Sequence, residues 1–223
     1  MKGEPVVPAI FPRWTNKIPL AVGVLAPLLG AFLIFAIWYW WSPLYTDAGY
    51  RPKQPVPFSH ALHAGDMGMD CRYCHNTVER SPHAAIPPTQ TCMNCHSQVK
   101  TDSPRLGVVR ASFETGESIP WVRVHMLPDY AFFDHRPHVA AGVGCATCHG
   151  RIDGMVVVEQ HAPLSMGWCL DCHRDPEPNL RPLDQVTNMF WDASPDKANY
   201  DPHKDQERKR MPSPPVHCSG CHR

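Results

Sequence analysis

Cys145-Ala-Thr-Cys148-His149 is one of five copies of a single five-residue pattern, and that pattern decides how the rest of the chain is read. The others are Cys71-Arg-Tyr-Cys74-His75, Cys92-Met-Asn-Cys95-His96, Cys169-Leu-Asp-Cys172-His173 and Cys218-Ser-Gly-Cys221-His222. Together they use all 10 cysteines of the 223 residues. A bare Cys-x-x-Cys serves zinc sites, redox dithiols and disulfides equally well. Zinc ribbons do not demand the following histidine, and a disulfide framework leaves cysteines at irregular spacings. With the histidine, the pattern is the attachment signature of c-type haem. Two thiols one short turn apart add to the vinyl groups, and the next residue's imidazole meets the iron. The pattern therefore predicts five covalently bound haem c groups, with His75, His96, His149, His173 and His222 as proximal ligands.

Composition agrees. Proline takes 25 of 223 positions and histidine 14, whereas proline usually makes up about 5% of a chain. Each proline fixes φ and removes a donor, which excludes a mostly regular helical or sheet protein. Lys and Arg number 21 and so do Asp and Glu, so no excess field attracts nucleic acid. Hydrophobic residues reach 43%, but many lie in one stretch near residue 30. Residues 42–223 leave about 36 residues per motif, so porphyrin faces are expected to supply most of the buried apolar surface.

The apolar stretch reads as a transmembrane helix over 18–41. As a helix it reaches roughly 36 Å, enough to cross a bilayer core with some tilt. Trp38, Tyr39, Trp40 and Trp41 sit at its far end, where aromatic residues mark a membrane interface. Pro27 lies inside, which membrane helices tolerate. A cleaved signal peptide would have a shorter apolar run and a small-residue cleavage site. Haem attachment of this kind occurs on the outer side of the energy-conserving membrane. Residues 1–17 are then cytoplasmic, and the chain after the span lies on the periplasmic face of the inner membrane.

The histidines repeat. Phe58-Ser-His60-Ala-Leu-His63 precedes Cys71, and Phe133-Asp-His135-Arg-Pro-His138 precedes Cys145. Each box is followed by two motifs, offset by 74 residues from Cys71 to Cys145 and by 77 from Cys92 to Cys169. This predicts a first two-haem repeat at 50–126, a second at 127–205 and a tail at 206–223 with the fifth haem. Histidines three apart on one helical turn point to roughly the same side. They are too close to serve both faces of one iron, so each box serves two haems. His60 is expected to cap the haem of Cys71 and Cys74, and His135 that of Cys145 and Cys148. His63 and His138 then cross to other haems. His125 and His161 are the next distal candidates, followed by His83 and His203; His217 adjoins Cys218. Met166, Met189 or Met211 could replace one histidine, and His/Met ligation would raise that haem's potential. Residues 201–211 read as a solvated charged linker.

Pro57-Phe58-Ser59-His60 through His75, Ile86-Pro87-Pro88-Thr89-Gln90-Thr91-Cys92-Met93-Asn94-Cys95-His96, Trp121-Val122-Arg123-Val124-His125 through His149, and Met166-Gly167-Trp168-Cys169-Leu170-Asp171-Cys172-His173 resemble the pentahaem cytochrome c subunit of bacterial alternative complex III. With the apolar span and the fifth motif, the similarity covers nearly the whole chain. The resemblance implies a role without catalysis of its own. Electrons would come from an iron–sulfur subunit, cross the five haems, and leave through a monohaem cytochrome c subunit to a carrier or oxidase. It puts the quinol site on polytopic membrane partners.

The fold expected is thus a multihaem cytochrome c. One N-terminal transmembrane helix precedes a loop-rich periplasmic domain of irregular chain and short helices, packed around five haems. The function expected is electron transfer in a quinol-oxidising complex. The competing reading is a membrane-anchored multihaem quinol dehydrogenase with its own quinone site. A terminal multihaem reductase would need an open iron site, and nine spare histidines for five irons argue against it.

Overall fold

The computed structural model describes residues 11–204 and 213–222. Residues 1–10, the linker from 205 and Met211 lie outside them, so the expectations for those positions end at the sequence. The chain divides into two compact units, one up to Thr46 and one from Asp47 onward.

In the first unit a 3₁₀ turn, Arg13–Lys17, leads into α1, Ile18–Trp40. Pro19 occupies the first turn, where its missing N–H costs nothing. Apolar side chains surround the whole helix and none is buried against protein. Residues 13–40 are long and apolar enough to cross a membrane. Pro27 sits within the helix. At its end Tyr39 stacks on Phe35 at 5.8 Å and meets Trp40 edge-on at 6.0 Å. A single turn, α2, spans Pro43–Thr46.

The second unit has no named strand among the described residues, only isolated bridges pairing Ala131 with His222 and Val143 with Leu180. Its helices are short: α3 Cys71–Cys74, α4 Thr89–His96, α5 Gly107–Thr115, α6 His135–Ala140, α7 Cys145–His149, α8 Met166–Arg174 and α9 Cys218–Cys221. Their starts carry ordinary caps: Asp70, Asp134 and Ser165 each accept from the backbone N–H two or three residues on. The cap of α5 at its far end is Gly116, at φ 77, a left-handed position that glycine takes without strain. The mostly irregular, short-helix domain read from the proline content is the architecture observed.

Its apolar core is small. Among the described residues only Val56, Val109, Ala162, Val186, Met189 and Trp191 are buried hydrophobics. Two polar side chains knit the loops instead. Gln160 is fully buried; its backbone pairs with Gly49 and Tyr50, and its Oε1 accepts from Met126 N–H at 2.9 Å. Arg181 is also buried and donates through Nη1 to the Asn188 carbonyl at 2.9 Å.

The first histidine box runs into a π-helix, Ala61–Asp66, which packs on the turn Ile152–Gly154. At Gly65 a Cβ would run into the Asp153 carbonyl oxygen, a backbone atom with no side-chain freedom to move. Gly65→Ala should therefore cost roughly 1–3 kcal/mol of overpacking, read as a lowered denaturation midpoint with unchanged slope. An unchanged midpoint would remove this contact from the fold's requirements.

Candidate functional site: five helical turns and their histidines

All five Cys-x-x-Cys-His segments adopt the same local form. Each cysteine pair lies three apart on one helical turn, in α3, α4, α7, α8 and α9, so both sulfurs face one side. None of the ten cysteines is paired in a disulfide. Burial pushes the Cys148 thiol up to about 12 and raises those of Cys74, Cys92, Cys169 and Cys172 as well. Thiols held protonated are poor redox dithiols and poor zinc ligands. Among the described residues no group of three or more His, Cys, Asp and Glu is arranged for a bare metal ion.

The following histidines share an orientation. His75 Nδ1 donates to the Ala85 carbonyl at 2.6 Å, His96 to Val99 at 2.9 Å, His173 to Pro215 at 2.7 Å and His222 to Tyr130 at 3.1 Å. His149 differs: its Nδ1 lies 3.1 Å from Nε2 of His125. In every case Nδ1 is engaged and Nε2 remains for a metal, the arrangement that fixes tautomer and ring orientation in metal-ligating histidines. None of the carbonyl acceptors carries a sequence signal, because any residue supplies one.

The two histidine boxes match closely. Phe58 meets His60 edge-on at 4.9 Å and stacks on His63 at 4.5 Å; Phe133 meets His135 edge-on at 4.8 Å and lies 4.7 Å from His138. His63 Nδ1 lies 2.9 Å from the Ser59 carbonyl and His138 Nδ1 2.7 Å from that of Asp134, leaving both Nε2 atoms free. Two imidazoles on opposite sides of one metal ion, each bound through nitrogen at about 2 Å, have ring centres roughly 6 Å apart. His63 and His96 are separated by 6.2 Å, His138 and His173 by 6.0 Å, and His135 and His149 by 6.5 Å. His60 is buried near His75 and its Nδ1 has no partner. These residues fit a bis-imidazole haem.

Burial holds four of these histidines neutral. It pushes the His149 imidazole down to about 3 and that of His60 to about 4, and lowers His138 and His125. Neutral imidazole is the form that binds a metal.

Other histidines lie elsewhere. The exposed ring of His161 rests against Gly150, beside the third motif. His203 is 74% exposed and its Nε2 lies 2.8 Å from Glu177 Oε1. His83 is exposed, and its carbonyl accepts from Thr77. His217 Nδ1 lies 3.1 Å from Ser219 Oγ. Met166 is 66% exposed, whereas Met189 is buried.

Contacts between motifs give a spatial order. The Cys71 and Cys145 thiols lie close enough to act on each other. Cys74 is near enough to Cys92, Cys148 to Cys172 and Cys169, and Cys169 to Cys221, for one sulfur's charge to act on the next. Bonds between segments join the second motif to the first, the loop before the first to the loop at 187, and the fifth motif to the chain at the second histidine box. Asn94 donates to Tyr73 Oη at 3.3 Å, Thr187 to Asp70 at 2.9 Å, and Phe132 N–H to the Cys221 carbonyl at 2.7 Å. The motifs therefore run second, first, third, fourth, fifth.

A small apolar core, five identical sulfur-bearing turns and imidazoles set in facing pairs define a multihaem c-type cytochrome, an electron-transport protein with five covalent haems. The family-level matches agree: residues 122–222 match the class III cytochrome C family and residues 56–115 match cytochrome c7 and related cytochrome c. The chain is similar to the menaquinone reductase, multihaem cytochrome c subunit, of Nitratidesulfovibrio vulgaris. The two are 33% identical over 136 residues, 60% of this chain and 63% of that relative. The chain thus spans just under two thirds of its relative's length.

Proposed function

We propose that this chain is the electron-relay subunit of a membrane-bound quinone–quinol oxidoreductase complex. The observation that carries it is the continuous run of neighbouring motifs, each with a free imidazole Nε2 and four with a second imidazole nearby. Each haem supplies a one-electron iron couple. The cysteine pairs fix its place, and His75, His96, His149, His173 and His222 are its proximal ligands. His60 is the distal ligand of the first haem, His63 of the second, His135 of the third and His138 of the fourth. The four irons capped on both sides exclude substrate, so these residues serve transfer and not catalysis. His125 and His161, the further distal candidates, both lie at the third motif.

Helix α1 is the anchor, a single pass in the inner membrane with the haem-bearing unit on the periplasmic face. The resemblance to alternative complex III supports outward flow. Electrons then leave quinol on polytopic subunits, pass an iron–sulfur subunit and this chain, and reach a monohaem cytochrome c. The named relative is called a menaquinone reductase subunit, which favours a second reading with flow into the quinone pool.

Mild detergent extraction should recover the chain in a complex with an iron–sulfur protein and polytopic subunits; recovery alone would overturn the proposal. In that complex, added quinol should reduce the haems within one turnover. Haems instead re-oxidised by added quinone, and reduced only from a soluble donor, would establish the second reading. Quinol oxidation by the isolated chain would replace both with a quinol dehydrogenase.

A further inference from the structure

His125 sits 4.4 Å, centre to centre, from His149, with the rings nearly perpendicular at 79°. That is too close for both to flank one iron, since the other facing pairs stand 6.0–6.5 Å apart. His135 takes the flanking position, 6.5 Å away with its ring within 8° of parallel to His149. His125 meets His149 at Nδ1, the nitrogen turned away from the metal.

The segment carrying His125 is held at both ends. Gln54 donates to the Val122 carbonyl at 2.8 Å and accepts from Val122 N–H at 3.0 Å. Buried Gln160 accepts from Met126 N–H. Between them Arg123 Nε donates to the His125 carbonyl at 3.0 Å. Two amide side chains from distant parts of the sequence thus fix a five-residue strap whose imidazole is aimed at one atom.

We propose that His125 is a positioning residue for the third haem, its Nε2 accepting the Nδ1 proton of His149 where the other four proximal histidines use a backbone carbonyl. The acceptor polarises the Nδ1–H bond, makes Nε2 of His149 a stronger donor and stabilises ferric iron at that site. The third motif is the middle of the spatial order, so this one side chain sets the level of the central step. The inference rests on the proposed reading of His135 as the distal ligand.

The test uses the haem-loaded, full-length protein with His125→Leu and His125→Gln. His125→Leu removes the acceptor; it should keep the wild-type number of low-spin haems and raise one midpoint potential, leaving four unchanged. A tenfold shift in the oxidised-to-reduced ratio, at the lower end of the roughly 10–100-fold effects of outer-shell partners, is about 59 mV for one electron. His125→Gln offers an amide oxygen and should return that potential toward the wild-type value. An unmoved midpoint in His125→Leu overturns the proposal. A high-spin signal that the wild type lacks, in either variant, also overturns it, by making His125 an iron ligand. If His125→Leu fails to load haem, His125→Gln decides alone: the wild-type number of low-spin haems sustains the positioning role, and one fewer refutes it. In parallel, His135→Ala should produce one more high-spin haem than the wild type; an unchanged low-spin count there would remove only the distal assignment.

Discussion

Produced without haem attachment, the chain beyond residue 47 will not fold. Ordering a residue's backbone costs about 1–2 kcal/mol, and six buried apolar side chains cannot offset that across this unit. The thiols and imidazoles that burial holds neutral would lie exposed in the collapsed alternative. Replacing all ten cysteines by alanine should abolish cooperative thermal unfolding and leave the unit open to proteolysis within the dead time of mixing. Circular dichroism and limited proteolysis read the result. A protease-resistant, cooperatively melting haem-free unit would show that side chains alone build the core. The effect is expected to be total, because each small metal-dependent site contributes its binding free energy directly to folding.

The second large effect falls on a single histidine. His138→Ala should convert one of five haems from low-spin to high-spin, since His138 stands 6.0 Å from His173 and its Nδ1 is already engaged by the Asp134 carbonyl. Transfer from the third to the fifth motif should slow by at least the 10–100-fold typical of losing a mere outer-shell partner, because the altered iron must also take up and release water. Magnetic spectroscopy gives the spin state, and stopped-flow reduction resolves the step. An unchanged set of low-spin signals would remove His138 from the ligand set. The same substitution at His63 should act on the haem of Cys92 and Cys95, its partner being His96 at 6.2 Å.

Much of this was legible in the residues. Cysteine spacing is a local property, so the five turns could be read without a fold. The duplicated Phe-x-His-x-x-His boxes announced a shared geometry, and Phe58 and Phe133 do hold their histidines alike. The partner of each box was not legible. Whether His63 meets His96 depends on how proline-bent loops bring α4 back to the π-helix, and no periodicity encodes that path. His125 illustrates the limit most clearly. Its place 29 residues after His96 suggested a distal ligand, whereas the positioning role proposed for it turns on which nitrogen of His149 it meets. The strap that aims it depends on Gln54 and Gln160, residues with no signature in the sequence. The order of the motifs was equally hidden, since the chain visits the first motif before the second, whereas the spatial path starts at the second.

The segment carrying the fifth motif also closes sites made earlier. The Pro215 carbonyl accepts from His173, 42 residues before it, and residues 221–222 pair with the backbone at 131–132. Synthesis proceeds from residue 1, so the acceptor that orients the fourth proximal histidine does not exist when that histidine is made. The fourth haem can be attached early but cannot be finished until the last turn arrives. Truncation before Pro215 should therefore disturb the fourth haem site as well as remove the fifth.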